Sequence, residues 1–568
     1  MRGLVLALVH PLVLPHIDYT AILPELIMIG GALVLLAAGA LTTRHLPTSV
    51  YTALSVATGG AALVAGIVLW VKIHGRGRPL SAIAHSLAID GFSTAFVILA
   101  ASLVVVAALV ADGYLRREGI VGPEYHALAL LGASGAMFMA AANDFIVIFL
   151  GLEIMSIPLY VLAAMDQRRA ESGEAGMKYF VLGAFSSAIF VYGIALTYGA
   201  TGSTNLAQIA GYLARNVSTN DGLLLAGMGL VLVGFLFKVA AVPFHMWTPD
   251  VYQGSPSPAT GFMAAIAKVG GFAALLRVFF STFHALSADW QPILWVVAVL
   301  TLVTGAVLGL VQRDVKRMLA YSSINHAGFI LLGLQAGTAA GISASLYYVF
   351  VYAFLVLGSF AVITVVGQRG DRDHAIESYR GLGRTQPLLA LAFAVLLLAQ
   401  AGAPFTTGFL GKLYVVEAAV QAHSYALAVI AMLTGAVAAA FYLRVVFVMF
   451  GVGSAAGSAT AGTELAAGET GAGVPELALA GAGSPAPASA LTTAVVATGP
   501  LGGGPGAEGS PEPRPDPAGT PPVIRVPTPF GIAPTTVVGI AVTVLFTVVL
   551  GIWPGPLFSF AHAAGLLF

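Results

Sequence analysis

Runs of about twenty apolar residues, parted by short polar breaks, recur from near residue 20 to residue 450 and once more before the C-terminus. A hydrocarbon core roughly 30 Å thick takes about 20 residues of α-helix to cross, or about 9–11 of a barrel strand. Only helices and closed barrels satisfy their backbone groups in lipid. These runs are too long for barrel strands, so the chain is expected to be an all-α polytopic membrane protein. Spans are expected near 20–41, 50–72, 90–112, 124–142, 144–165, 175–200, 221–247, 258–282, 290–311, 317–337, 341–367, 386–416, 421–450 and 535–556, about 14 helices. Charged residues make up only 9% of the chain, against about 25% in an ordinary soluble domain. Lys+Arg 25 balances Asp+Glu 25, which gives no basic surface for nucleic acid. The sequence has no cysteine, so it offers no disulfide, no Cys-ligated iron–sulfur cluster and no thiol nucleophile. No H-x-x-x-H pair suggests haem or zinc.

Residues 451–534 break the pattern. They are rich in Ala, Gly, Pro and Ser, a composition that buries too little surface to order itself. A disordered loop is expected there. Its Gly504–Gly509 stretch matches G-x-G-x-x-G, but no strand precedes it and no helix follows, so the match is fortuitous. The start at Met1 faintly resembles a signal peptide, but Pro11 and Pro15 interrupt it and no A-x-A site follows. Basic residues set the orientation. Arg44, Arg116, Arg117, Arg168, Arg169, Arg313, Lys316, Arg317, Arg369, Arg372, Arg380 and Arg384 fall in loops on one side; Lys72, Arg76, Arg78 and Arg215, with Arg277 at a span end, fall on the other. Both termini are therefore expected outside and residues 451–534 in the cytoplasm.

The chain has six lysines, and Lys178, Lys238, Lys268 and Lys412 lie within apolar runs. A charge at the centre of a span costs at least about 2.5–3.5 kcal/mol. Lys178 is close enough to its span's end to snorkel to the interface; a relay role is the other reading. Glu153 is the matching acid, while Glu25 and Asp144, near span starts, read as solvated interfacial groups. Either a structural ion pair or proton transfer would account for such residues. Burial favours a neutral amine and a nearby carboxylate favours a charged one, so a lysine whose partner approaches and retreats can hold and release a proton. His245 and His326 titrate in the right range to relay one, or serve as hydrogen-bonding core residues.

Pro243 and Pro404 interrupt long apolar runs, each within about ten residues of an intramembrane lysine. Transporters place paired broken helices in internal repeats. The expected organisation is 1–123 (three N-terminal helices), 124–282 and 290–450 (two inverted five-helix repeats, each with a broken helix), the loop 451–534, and a last helix in 535–568.

At these motifs the sequence resembles a known family. K-V-A-A-V-P-F-H-M-W-T-P-D-V-Y-Q-G-S-P-S-P at 238–258 resembles the broken-helix signature of the antiporter-like subunits of respiratory complex I. The Y-Q-G-S-P-S-P form and M-K-Y-F-V-L-G-A-F-S-S-A at 177–188 resemble its subunit N branch. G-L-E at 151–153, Y-S-S-I-N-H at 321–326 and G-F-L-G-K at 408–412 fit as well. The resemblance implies proton transfer along Glu153, Lys238, Lys268 and Lys412, with Glu153 and Lys238 as an interacting pair. It implies a place in a bacterial plasma membrane beside other complex I membrane subunits. It also implies no cofactor in this chain, with FMN, iron–sulfur clusters and quinone in partner subunits. An Mrp-type cation/proton antiporter subunit is the alternative of the same fold.

Overall fold

The computed structural model describes residues 17–42, 46–77, 79–216, 222–371, 373–451 and 531–564. The expected loop and the G-x-G-x-x-G match therefore lie outside the described residues, apart from Gly451 and 531–534, and so does the signal-like start.

The chain is a multi-pass bundle of helices. In order these are α1 (Leu23–Leu41), α2 (Thr48–Arg76), α3 (Gly91–Glu118), α4 (Glu124–Ala141), α5 (Phe145–Ala163), α6 (Ala170–Thr201), the short α7 (Leu206–Arg215), α8 (Gly222–Lys238), α9 (Trp247–Gly254), α10 (Ser257–Arg277), α11 (Ser287–Leu310), α12 (Val315–Gln335), α13 (Ala339–Val366), α14 (Pro387–Ala401), α15 (Thr407–Gln421), α16 (Tyr425–Phe450), α17 (Pro534–Ile552) and the short α18 (Gly555–Ala563). Among the described residues, ten helical stretches are long and apolar enough to cross a membrane. Local chemistry sets the helix starts. Asp90 and Ser93 form a reciprocal capping box at α3, and Asp144, Asp314 and Thr338 cap α5, α12 and α13.

Most expected spans coincide with helices to within a few residues. Two do not. The expected 221–247 stops at Lys238, and the chain turns before resuming as α9. The expected 386–416 is two helices, α14 and α15, split at 402–406. Proline lacks an N–H and its ring clashes with the preceding turn, so Pro243 and Pro404 each sit in a break. The sequence reading also omitted a small antiparallel hairpin, β1 (Leu80–Ala82) with β2 (Leu87–Ile89), and the short helices α7 and α18.

Burial grades from the centre outwards. α10 and α13 pack together as the middle of the bundle, with the apolar windows of both spans wholly buried, whereas only 28% of the corresponding windows in α1 and α2 is buried. The outer helices expose large apolar side chains such as Val64, Val68, Val71 and Leu545, as lipid-facing surfaces do. Close crossings use small residues. A Cβ on Gly135 would stand 2.3 Å from the Met155 nitrogen and 2.6 Å from the Gly151 oxygen, so glycine alone lets α4 and α5 meet beside Glu153.

Candidate functional site

The two helix breaks build the site. α8 ends at Lys238, and Ala240 just beyond it has φ +60°. At the second break Gly402 has φ +96° and Phe405 φ +63°. A non-glycine residue in the left-handed region costs of order 1–3 kcal/mol and persists only where its surroundings impose it. At the first break Thr301 Oγ1 accepts from the Val242 N–H at 3.0 Å, and Trp247 Nε1 donates to the Phe237 carbonyl at 3.1 Å.

Each break also aims freed carbonyls at a lysine. Lys268 Nζ, on α10, donates to the Val239 carbonyl at 3.0 Å and to the Ser323 carbonyl at 2.7 Å. Lys412 Nζ, on α15, donates to the Gln400 and Ala401 carbonyls, both at 2.8 Å. Cations at a helix C-terminus are favoured by the helix dipole. Lys238 Nζ donates to Ser156 Oγ at 2.6 Å and lies 5.6 Å from the Tyr160 ring and 5.7 Å from the Tyr179 ring. All three lysines are buried, with 2%, 2% and 9% exposure for Lys238, Lys268 and Lys412.

Hydroxyls join these stations. Ser323, one turn before His326 on α12, has its Oγ 2.8 Å from the Tyr352 hydroxyl and 3.3 Å from that of Tyr252. His326 Nδ1 lies 2.8 Å from the Tyr348 hydroxyl and Nε2 3.2 Å from that of Tyr442. Tyr442 is hydrogen-bonded to Ser322, whose Oγ donates to Gln400 Oε1 at 3.3 Å; Gln400 is the residue whose carbonyl holds Lys412. A buried polar chain with two gaps thus leads from α5 to α15: Ser156 and Lys238; Lys268 and Ser323; then His326, Tyr442, Ser322, Gln400 and Lys412, with no side-chain hydrogen bond between the three groups among the described residues.

The sequence-predicted residues fall unevenly on this chain. Lys238, Lys268, Lys412 and His326 belong to it. Glu153 stands one turn before Ser156 on α5, half-buried, and its Oε1 accepts from Ser187 Oγ at 2.5 Å. Glu153 and Lys238, which the resemblance makes an interacting pair, form no ion pair within 4.0 Å among the described residues. Each is held instead by a serine. His245 is half-buried in the turn after α8, and among the described residues no hydrogen bond joins its ring to these polar groups. Lys178 pairs with Glu174 at 2.7 Å and Asp250 at 2.9 Å with its side chain 41% exposed, the geometry of an interfacial lysine. The serines, tyrosines and Gln400 were missed. Their signal was a polar stripe at helical spacing in apolar helices: Ser322, Ser323 and His326 on α12, Tyr348 and Tyr352 on α13.

Other buried charges correct the sequence reading. Glu25 is not solvated; it is 2% exposed and its Oε2 has no partner among the described residues. Asp90 and Asp112 are also fully buried. Arg277, at the end of α10, is not left exposed: it is buried and grips Asp90 with two hydrogen bonds, of 3.0 and 2.9 Å. Lys316, in the first turn of α12, is not solvent-facing either. It is fully buried, bonded to the Ser255 carbonyl at 2.5 Å and 3.6 Å from Asp371. Asp371, in the loop after α13, also meets Arg169 at 3.3 Å and His374 at 3.0 Å, and accepts from the Ser257 N–H at the start of α10. Burial alone would raise the Asp371 carboxyl. Lys316, His374 and Ser257 outweigh it and hold the group well below the ordinary carboxylate range.

Residues 142–438, which contain both breaks and the buried Lys238, Lys268 and Lys412, match the family described as NADH:quinone oxidoreductase/Mrp antiporter, TM. A NADH-quinone oxidoreductase subunit N of Trichlorobacter lovleyi is 47% identical over 381 residues, 67% of this chain and 78% of the relative. The chain belongs to the NADH:quinone oxidoreductase/Mrp antiporter family, in its subunit N branch. A chain of respiratory complex I from Thermus thermophilus has the same fold, with TM-score 0.69, 30% identity and coverage of 96% of this chain and 100% of that one. A chain of the Mrp complex from Dietzia shares the fold, with TM-score 0.68 and 23% identity over 75% of this chain and 80% of that one. Family membership thus accords with the resemblance carried by the broken-helix and Y-S-S-I-N-H motifs.

Proposed function

We propose that this chain is a proton-translocating membrane subunit of an NADH:quinone oxidoreductase, and that Glu153, Lys238, Lys268 and Lys412 carry the proton. One contrast supports the assignment. Buried cations with a structural role here are matched by carboxylates: Arg277 by Asp90, Lys316 and Arg169 by Asp371. Lys238, Lys268 and Lys412 have only neutral oxygens within hydrogen-bond reach. A buried amine held by neutral acceptors has no fixed countercharge, so a small displacement of a nearby carboxylate decides whether it keeps its proton.

In this reading Glu153 and Lys238 form the loading site, with Ser187 and Ser156 holding the two apart in the state described. Approach of Glu153 retains the proton on Lys238, and its retreat releases it towards Lys268. The Ser323–His326–Tyr442–Ser322 segment carries it on to Lys412, since each transfer needs a group within about one water of the next. His245 and Lys178 are secondary relay candidates at the entry side. Oxidation of NADH and reduction of quinone belong to partner subunits, which would hold FMN and the iron–sulfur clusters. We assign 124–282 and 290–450 as the two inverted repeats. In a bacterial plasma membrane, the arginine-rich loops face the cytoplasm and both termini face outside.

Lys238→Ala and Glu153→Gln should each lower NADH oxidation and proton pumping together, by at least about tenfold, in a complex shown to be assembled. Glu153→Asp should be milder. Normal pumping per electron in assembled Lys238→Ala and Lys268→Ala complexes would refute the path.

A further inference from the structure

Away from this chain, a cavity of about 360 Å³ opens where α3 and α13 end and α17 begins. Arg116, Arg117, Arg369 and Tyr114 line it on one side, with Ile532 and Ala533 among the residues opposite. Its charges do not balance. Asp112 takes Arg116, and Glu118 takes Arg117 at 3.1 Å. Nearby Arg168 is matched by Asp166 at 2.9 Å. Arg369 has no partner among the described residues. Four arginines against three carboxylates leave one positive charge.

Two donors at the cavity also lack an acceptor. Tyr114 is 1% exposed, and its hydroxyl has no hydrogen-bond partner; neither has the buried Arg117 Nη2, although Arg117 Nη1 reaches the Thr364 carbonyl at 3.0 Å. An unanswered buried donor costs about 1–3 kcal/mol, so a native cavity with two of them next to an unmatched arginine is built for an anion with several acceptor oxygens. Phosphate has them, and arginine is well suited to bind it.

We propose that this cavity binds the phosphate of an anionic phospholipid. The site stands at the ends of three spans, where headgroups lie. From it the outer face of α17 presents Val537 and Val538, 48% and 50% exposed, as a bed for an acyl chain. One phosphodiester charge matches the one unmatched arginine. Basic pockets between helices at this depth take such headgroups.

The test uses the purified, delipidated complex and native mass spectrometry, reading the occupancy of dioctanoyl-phosphatidylglycerol on this subunit with inorganic phosphate as competitor. Arg369→Gln and Tyr114→Phe remove no contact seen in the structure, so folding should be unaffected. Arg369→Gln should weaken binding about fivefold, and Arg369→Lys should restore most of it. Tyr114→Phe should weaken it about tenfold, the loss of one hydrogen bond to a charged group. Equal occupancy in wild type and both variants would overturn the site. Inorganic phosphate that competes as well as the lipid at equal concentration would overturn the lipid as its source.

Discussion

Lys238 meets Ser156 rather than Glu153, and this makes the serine hydroxyl a test of the loading site. Ser156→Ala keeps both charges and removes the group that fixes the amine. A lost hydrogen bond to a charged donor is worth about 1.5–3 kcal/mol, so turnover should fall roughly tenfold while the complex still assembles; unchanged turnover would make Ser156 a bystander. Asp371 is the opposite kind of residue, a carboxylate whose ligands are Lys316, Arg169, the His374 ring and the first N–H of α10. Breaking such a buried ion pair costs about 3–5 kcal/mol, so Asp371→Asn should lower thermal stability sharply. The pH sense follows from the depressed carboxyl. Its folded-state pKa lies below the unfolded value of about 3.9, so the stabilisation is present in full above that value and is lost as pH falls below it. Melting curves from pH 7 to pH 3 should show less acid dependence in Asp371→Asn than in wild type.

At the scale of elements, the second broken helix has its two halves pressed against one another. A Cβ on Gly408, in the first turn of α15, would stand 1.9 Å from the Ala399 oxygen of α14 and 2.7 Å from its carbonyl carbon. Backbone cannot swing aside as a side chain can. Gly408→Ala should therefore part α14 from α15 and draw Lys412 off the Gln400 and Ala401 carbonyls. The expected loss is about 1–3 kcal/mol of stability with a matching fall in pumping. Gly229→Ala in α8, where a Cβ meets nothing within 4 Å, should instead be neutral or stabilising by up to about 1 kcal/mol. Similar melting shifts in the two variants would show that the half-helices are not tightly apposed.

Across the whole molecule, the basic residues predict one orientation. The chain lacks cysteine, so an introduced thiol can be labelled without background. Ser510→Cys should resist an impermeant thiol reagent in intact cells and react once the cells are opened; labelling of intact cells would invert the topology. The same scale explains the fixed centre of the bundle. With α10 and α13 buried along their whole apolar windows, Lys268 cannot reach lipid or bulk water without the bundle opening, and its partners must come from the protein.

The sequence by itself determined the helical membrane fold, the near-residue limits of most spans, the two breaks and the buried lysines. Each rests on a local property: apolar length against bilayer thickness, the missing N–H of proline, the penalty for a charge in lipid. Only the tertiary structure decided which charges answer which. Glu25 and Lys316 lie near span ends in the sequence yet are sealed by neighbouring helices, and Arg277 finds Asp90 from 187 residues away. The serines and tyrosines beside the buried lysines have no charge to mark them in an apolar run. Their contacts depend on α12, α13 and α16 bringing hydroxyls and the His326 ring within 3.3 Å of one another, and that proximity is a property of packing, which the spacing along one helix does not contain.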